Sequence, residues 1–126
     1  MLTRDEILSA DDLKKEKVPV PEWGGHLFVK TQTGAEKDNF ESSLVDSKGK
    51  VSVKNIRARM VAQVAVDEDG KRLFSDADAE ALGKKSAAAL DRVFAVAKRL
   101  NGISDEDVEE LGKLSEQTQG DDSISD

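Results

Sequence analysis

Residues 55–66, NIRARMVAQVAV, and residues 81–102, ALGKKSAAALDRVFAVAKRLNG, decide the fold. In the first, Ile56, Met60, Val61, Val64 and Ala65 recur at helical spacing, which predicts a core helix over about 53–66. In the second, Ala87, Leu90, Val93, Phe94, Ala97 and Leu100 form a wide apolar stripe, and Gly102 stands in the usual stop position. A mostly buried helix over about 85–101 follows. Strand-favouring valines end the first stretch, so the chain is expected to leave the helix there. Asp69-Gly70 then makes a tight hairpin-like turn before Lys71-Arg72-Leu73-Phe74. Ser75 with Asp78 has capping-box spacing, starting a short helix over 76–82 that Gly83 can terminate.

Upstream, Thr3 with Glu6 and Thr33 with Glu36 repeat the capping-box spacing. The first predicts a brief helix from Arg4 to Ser9, which needs tertiary support at that length. The second predicts a helix from Ala35 to Val45 with Phe40 and Leu44 on one apolar face. Asp46 to Lys50 reads as a polar loop. Between the two helices, Val18-Pro19-Val20-Pro21 must be extended and at an edge, Trp23-Gly24-Gly25 is a turn, and His26 to Thr31 reads as a strand. A β-hairpin near 17–31 is expected. Ser104 with Asp107 caps a last helix, from Asp105 to about Leu114, after which apolar anchors nearly vanish.

The expectation is therefore a mainly α domain over 1–114 with an N-terminal β-hairpin and a short Asp-Gly turn hairpin. A flexible, disordered acidic tail is expected over 115–126. The charge supports that division: from Ile103 onward nine acids face Lys113 alone, so this segment carries −8 of the net −7 and the first 102 residues carry +1. An acidic balance makes nucleic-acid binding unlikely, because duplex affinity comes largely from cations that displace counterions. With no cysteine, disulfides, thiolate metal sites and a cysteine nucleophile are excluded. No apolar stretch approaches the ~20 residues of a membrane span, and the first residues lack the apolar core of a signal peptide.

Residues that resemble sites fail on chemistry. Setting Gly70 at the sixth position of a calcium loop puts Ala65 first and Asp76 last, so the first ligand is missing and Asp replaces the bidentate Glu. His26, the sole histidine, has no cysteine, no serine in a nucleophile elbow and no second metal-binding histidine to work with. It reads as a surface or hairpin-stabilising residue. No glycine pattern fits a phosphate loop or a dinucleotide site. Catalytic residues, metal and cofactors are therefore all expected to be absent.

Two features suit protein partners instead. Lys48, Lys50, Lys54, Arg57 and Arg59 cluster around the start of the central helix; they are either a solvated face or a dock for an acidic segment, such as the chain's own tail or a neighbouring copy's. Trp23, beside two glycines and two prolines, either anchors a partner or packs the hairpin onto the helices.

Taken in order, PEWGGHLFVKTQTGAEKDNFE (21–41), NIRARMVA (55–62), VDEDGKRLFSD (66–76), ALGKKSAAALDRVF (81–94) and AKRLNGIS (97–104) resemble the tail assembly chaperones of long-tailed, siphovirus-like bacteriophages and prophages. The resemblance spans about residues 18–104 and rests on order and spacing, since no block carries a catalytic signature. It implies a non-enzymatic morphogenesis factor of the host cytoplasm, absent from the mature virion. Such a factor binds the tape measure protein, keeps it soluble, helps recruit tail tube protein and self-associates as a homo-oligomer. The resemblance also implies that a longer, frameshifted form is often made. Candidate client-facing residues are Trp23, Leu27 and Val29 on the hairpin and Val93 and Val96 on the long helix, with Lys54, Arg57 and Arg59 as the basic docking face. The alternatives are another tail or connector component, or a small helical nucleic-acid-binding regulator.

Overall fold

The computed structural model describes residues 1–124, with side chains over 1–116. The hairpin forms as expected: β1 (Lys15–Val20) pairs antiparallel with β2 (Gly25–Lys30), with Val18 opposite Leu27 and Val20 opposite Gly25. Alternation places Val18, Val20, Leu27 and Val29 inward, and all four are buried. Pro19 has no N–H to donate and is tolerated because β1 is an edge strand. The turn is one 3-10 turn, Pro21–Trp23, closed by Gly24 at a φ of 76°.

A third strand, β3 (Ala65–Val66), pairs with the other side of β2 and makes the sheet order β1-β2-β3. The predicted core helix is therefore shorter than its apolar pattern. It runs as α3 from Ile56 to Val64, and Ala65 turns extended at a ψ of 122°. Ala58, Met60, Val61, Ala62 and Val64 are all buried, so α3 is enclosed on most of its surface. Its N-cap Asn55 has a φ of 55°, in the left-handed region.

The other helices follow their capping signals. α1 (Arg4–Ser9) and α2 (Gly34–Ser43) each have a capping box, from Thr3 with Glu6 and from Thr33 with Glu36. The segment after Ser75 begins as a 3-10 turn over Asp76–Asp78 and continues as α4 (Ala79–Leu82). α5 (Ala87–Leu100) starts at Ser86 and buries Ala89, Leu90, Val93, Phe94 and Ala97; Ala87, expected in the stripe, is exposed. Gly102 takes a φ of 65° just past the end of α5, the stop position expected for it. Gly83 ends α4 without the left-handed turn, at a φ of −62°. It is small for another reason, because a Cβ there would lie 3.0 Å from the Asn55 Oδ1.

α6 (Asp105–Ile124) begins at the expected Ser104 and Asp107 cap but runs past Leu114. Ser115 is buried, so the folded body includes at least that residue. The flexible tail expected over 115–126 otherwise falls, from 117 onward, outside the described side chains.

The loop expected over Asp46–Lys50 is a second copy of the Asp-Gly turn. In DSKGK and DEDGK alike, the aspartate carboxylate accepts the N–H groups two and four residues on, and the glycine N–H donates to the aspartate carbonyl. Bridges at Val45–Val51 and Val66–Arg72 close the two turns. Gly49 and Gly70 sit at φ of 81° and 83° with open space where a Cβ would be. Gly70→Ala should therefore lower stability by about 1–2 kcal/mol through backbone strain alone, measured as a shift of the urea midpoint with an unchanged slope. An unchanged midpoint would contradict this.

α5 covers the sheet and packs on α3, and three ion pairs staple it in place. Arg92 Nε donates to both Glu22 oxygens at 2.9 Å, Arg57 meets Asp91 at 2.9 Å, and Arg99 reaches Glu16. At the end of α5, Asn101 Oδ1 accepts the backbone N–H of Gln32 at 2.7 Å and its amide donates to the Ala97 carbonyl. The end of the hairpin is thus fixed to the end of the long helix.

Candidate partner-binding surface

The fold distributes the client-facing candidates unevenly. Leu27, Val29 and Val93 belong to the core, the last two at 0% exposure, and offer no surface to a partner in this fold. Val96 and Trp23 are half-buried and pack against that core. Of the basic residues, Arg59 is a clasp: its guanidinium donates to the Ser52 carbonyl, the Ser43 carbonyl and the Ser43 hydroxyl, tying the end of α2 to the start of α3. Arg57 is engaged by Asp91. Lys48 and Lys54 are exposed. The structure therefore does not gather these positions into one patch.

It gathers a different set. Phe40 from α2 and Leu44 at its C-cap, Met60 from α3, Ile103 from the loop and Leu111 and Leu114 from α6 line an open, largely apolar groove of about 450 Å³. At its mouth Val45 and Leu114 are 43% and 46% exposed. Lys37, Glu41, Asp107 and Glu110 rim it. At its inner end lies Gln32, 8% exposed. The Gln32 Nε2 donates to Gln63 Oε1, and the Gln63 Nε2 donates to the Glu36 carbonyl at 2.8 Å. That chain of donors fixes both amides and leaves Gln32 Oε1 buried with no partner. An unpaired buried acceptor costs free energy until a donor reaches it.

The second uncovered surface is the N-terminal arm. Every residue from Met1 to Lys15 is exposed, and α1 buries none of its side chains. The support a six-residue helix needs is not supplied by this body. Leu2 and Ile7 stand at the positions preceding the cap and at the fourth helical residue, the spacing of a hydrophobic staple, yet are 66% and 55% exposed. Neither groove nor arm was expected from the sequence. The staple spacing was a usable signal for the arm; the groove's residues come from separated segments and carry none.

Charge at the groove is set locally. Burial pushes the Glu36 carboxyl up, but the Lys30 ammonium and the Thr33 N–H outweigh it and hold the group below its ordinary 4.5. Asp107 is held below 3.8 by the Ser104 N–H and hydroxyl, with Lys37 across the groove adding to the effect. A lowered folded value means that Glu36 stabilises the fold above pH 4.5 and loses that contribution as pH falls through the lowered value. Glu36→Gln keeps the cap and removes the charge, so it should cost up to about 1 kcal/mol at neutral pH. The gap to the parent should close below that range in urea titrations at both pH values. A gap independent of pH would contradict the assignment.

Among the described residues no three His, Cys, Asp or Glu side chains approach closely enough to hold a metal ion. His26 is exposed on the hairpin, as expected of a surface residue, and sits edge-on to Phe28 with ring centroids 5.8 Å apart. The calcium-loop candidate Asp67 uses its carboxylate on its own turn. No described helix is long and apolar enough to cross a membrane.

Residues 4–113 match the family model described as phage tail assembly chaperone. Among solved structures, the tail assembly chaperone of bacteriophage HK97 superposes with a TM-score of 0.52 at 21% identity, over 76% of this chain and 94% of that one. At that identity the likeness concerns the fold. No curated protein sequence matches the chain.

Proposed function

The chain belongs to the phage tail assembly chaperone family, and from that premise we propose that it binds the tape measure protein during tail morphogenesis. In this reading it keeps that long client soluble and helps recruit tail tube protein. It acts in the host cytoplasm as a non-enzymatic homo-oligomer and leaves before the virion is complete. The observation that carries the reading is the family match over residues 4–113. The surface chemistry supports it: apolar area is left uncovered on the groove and the arm, where a protein partner can cover it.

The test is co-expression with the tape measure protein of the same gene neighbourhood. The client should become soluble and co-purify with the chain, and mass spectrometry of purified virions should not detect the chain. A client that stays insoluble would remove the chaperone reading. Detection in virions would favour a tail or connector component.

A further inference from the structure

We propose that the N-terminal arm, residues 1–13, of one copy seats its apolar side chains in the α2–α6 groove of a second copy. The inference deepens the self-association in the proposed function and rests on it. Among the described side chains, eight large apolar ones are exposed; five (Met1, Leu2, Ile7, Leu8 and Leu13) belong to the arm, and two (Val45 and Leu114) flank the groove mouth. Of these eight, Leu73 alone lies elsewhere. Two uncovered apolar surfaces in one chain, a projecting arm with Ile7 and Leu8 on its short helix and an open groove, match in polarity.

The root of the arm lies beside the groove. Lys14 N–H donates to Thr31 Oγ1 at 3.1 Å and Thr31 N–H to the Lys14 carbonyl at 2.9 Å, and the next residue is Gln32 of the groove wall. Beyond that root none of the arm's side chains is buried and its hydrogen bonds are confined to Thr3–Ala10. Its own groove is left open while the arm is extended, the arrangement from which neighbouring copies exchange segments.

The absence of cysteine gives a clean test. Ile7→Cys and Leu114→Cys are made in separate full-length chains, mixed and oxidised. A covalent heterodimer should dominate a non-reducing gel, whereas Leu73→Cys mixed with Leu114→Cys should give none. By sedimentation, Ile7→Glu/Leu8→Glu and Leu114→Glu should each raise the self-association Kd at least about tenfold, and their combination should add little, because each abolishes the same contact. All these positions are exposed, and circular dichroism checks that the fold persists.

No heterodimer in the mixture overturns the proposal, as does cross-linking only within a chain carrying both Ile7→Cys and Leu114→Cys, which would mean closure of the arm on its own groove. Self-association that survives both glutamate variants overturns the arm-and-groove contact while leaving self-association intact. A parent chain that sediments as a monomer overturns both, and client co-purification still tests the chaperone reading separately.

Discussion

Val93→Asp will abolish cooperative folding. Val93 is completely buried on α5, the helix that packs on α3 and covers β1 and β2. An aspartate there must bury a carboxylate in the apolar core, or expel α5 from it. The first alternative costs several kcal/mol, comparable with the ~5–15 kcal/mol that hold an entire domain together. Val93→Ala, which only removes methyl groups, should cost about 2–3 kcal/mol. The measurement is urea unfolding followed by far-ultraviolet circular dichroism. A Val93→Asp chain with a normal transition but weakened partner binding would return Val93 to the client-facing role expected from the sequence and would contradict its burial.

That contrast shows where sequence patterns stop. The helical stripe at Leu90, Val93, Phe94 and Ala97 identifies a buried face, but periodicity gives the direction of the face and not what covers it. Leu27 and Val29 were ambiguous in the same way until the register with Val18 and Val20 placed them on the inner side. Caps were legible because their chemistry is local: Thr33 with Glu36 and Ser104 with Asp107 satisfy donors within four residues. The second Asp-Gly turn was equally local, since DSKGK repeats the spacing of DEDGK, and only its polar composition made it read as a loop.

The exit from the helix at 64–66 and the Asp-Gly hairpin were expected, but the pairing of that third strand with β2, and the groove, were not legible, and the reasons differ. Ala65 and Val66 continue the apolar pattern of α3, and it is pairing with Phe28 and Val29 that draws them out of the helix; tertiary contacts override propensity in so short a segment. The groove needs α2, α3 and α6 at once. Phe40 and Met60 read individually as apolar positions of two helices, and the gap beside them forms where Ile103 and the α6 residues Val108 and Leu111 pack on the core while Leu114 stays half-exposed.

The weakest-held wall of that groove is α2, and Phe40→Ala should detach it. α2 has one buried side chain along its ten residues, Phe40 at 8% exposure, followed by Leu44 at its end. Its remaining ties are polar: Gln63 to the Glu36 carbonyl, Lys30 to Glu36, and Arg59 to Ser43. Removing the ring forfeits about 3–5 kcal/mol, more than such contacts return once the helix is mobile. The loss should therefore be local before it is global. Hydrogen exchange should show α2 amides losing protection while β1, β2, α3 and α5 retain most of theirs. Uniform loss across all elements would mean that α2 unfolds only with the core. Because α2 supplies Phe40 and Leu44 to the groove, the same variant should lose self-association at temperatures where α3 and α5 remain folded, separating the binding surface from the stability of the body that carries it.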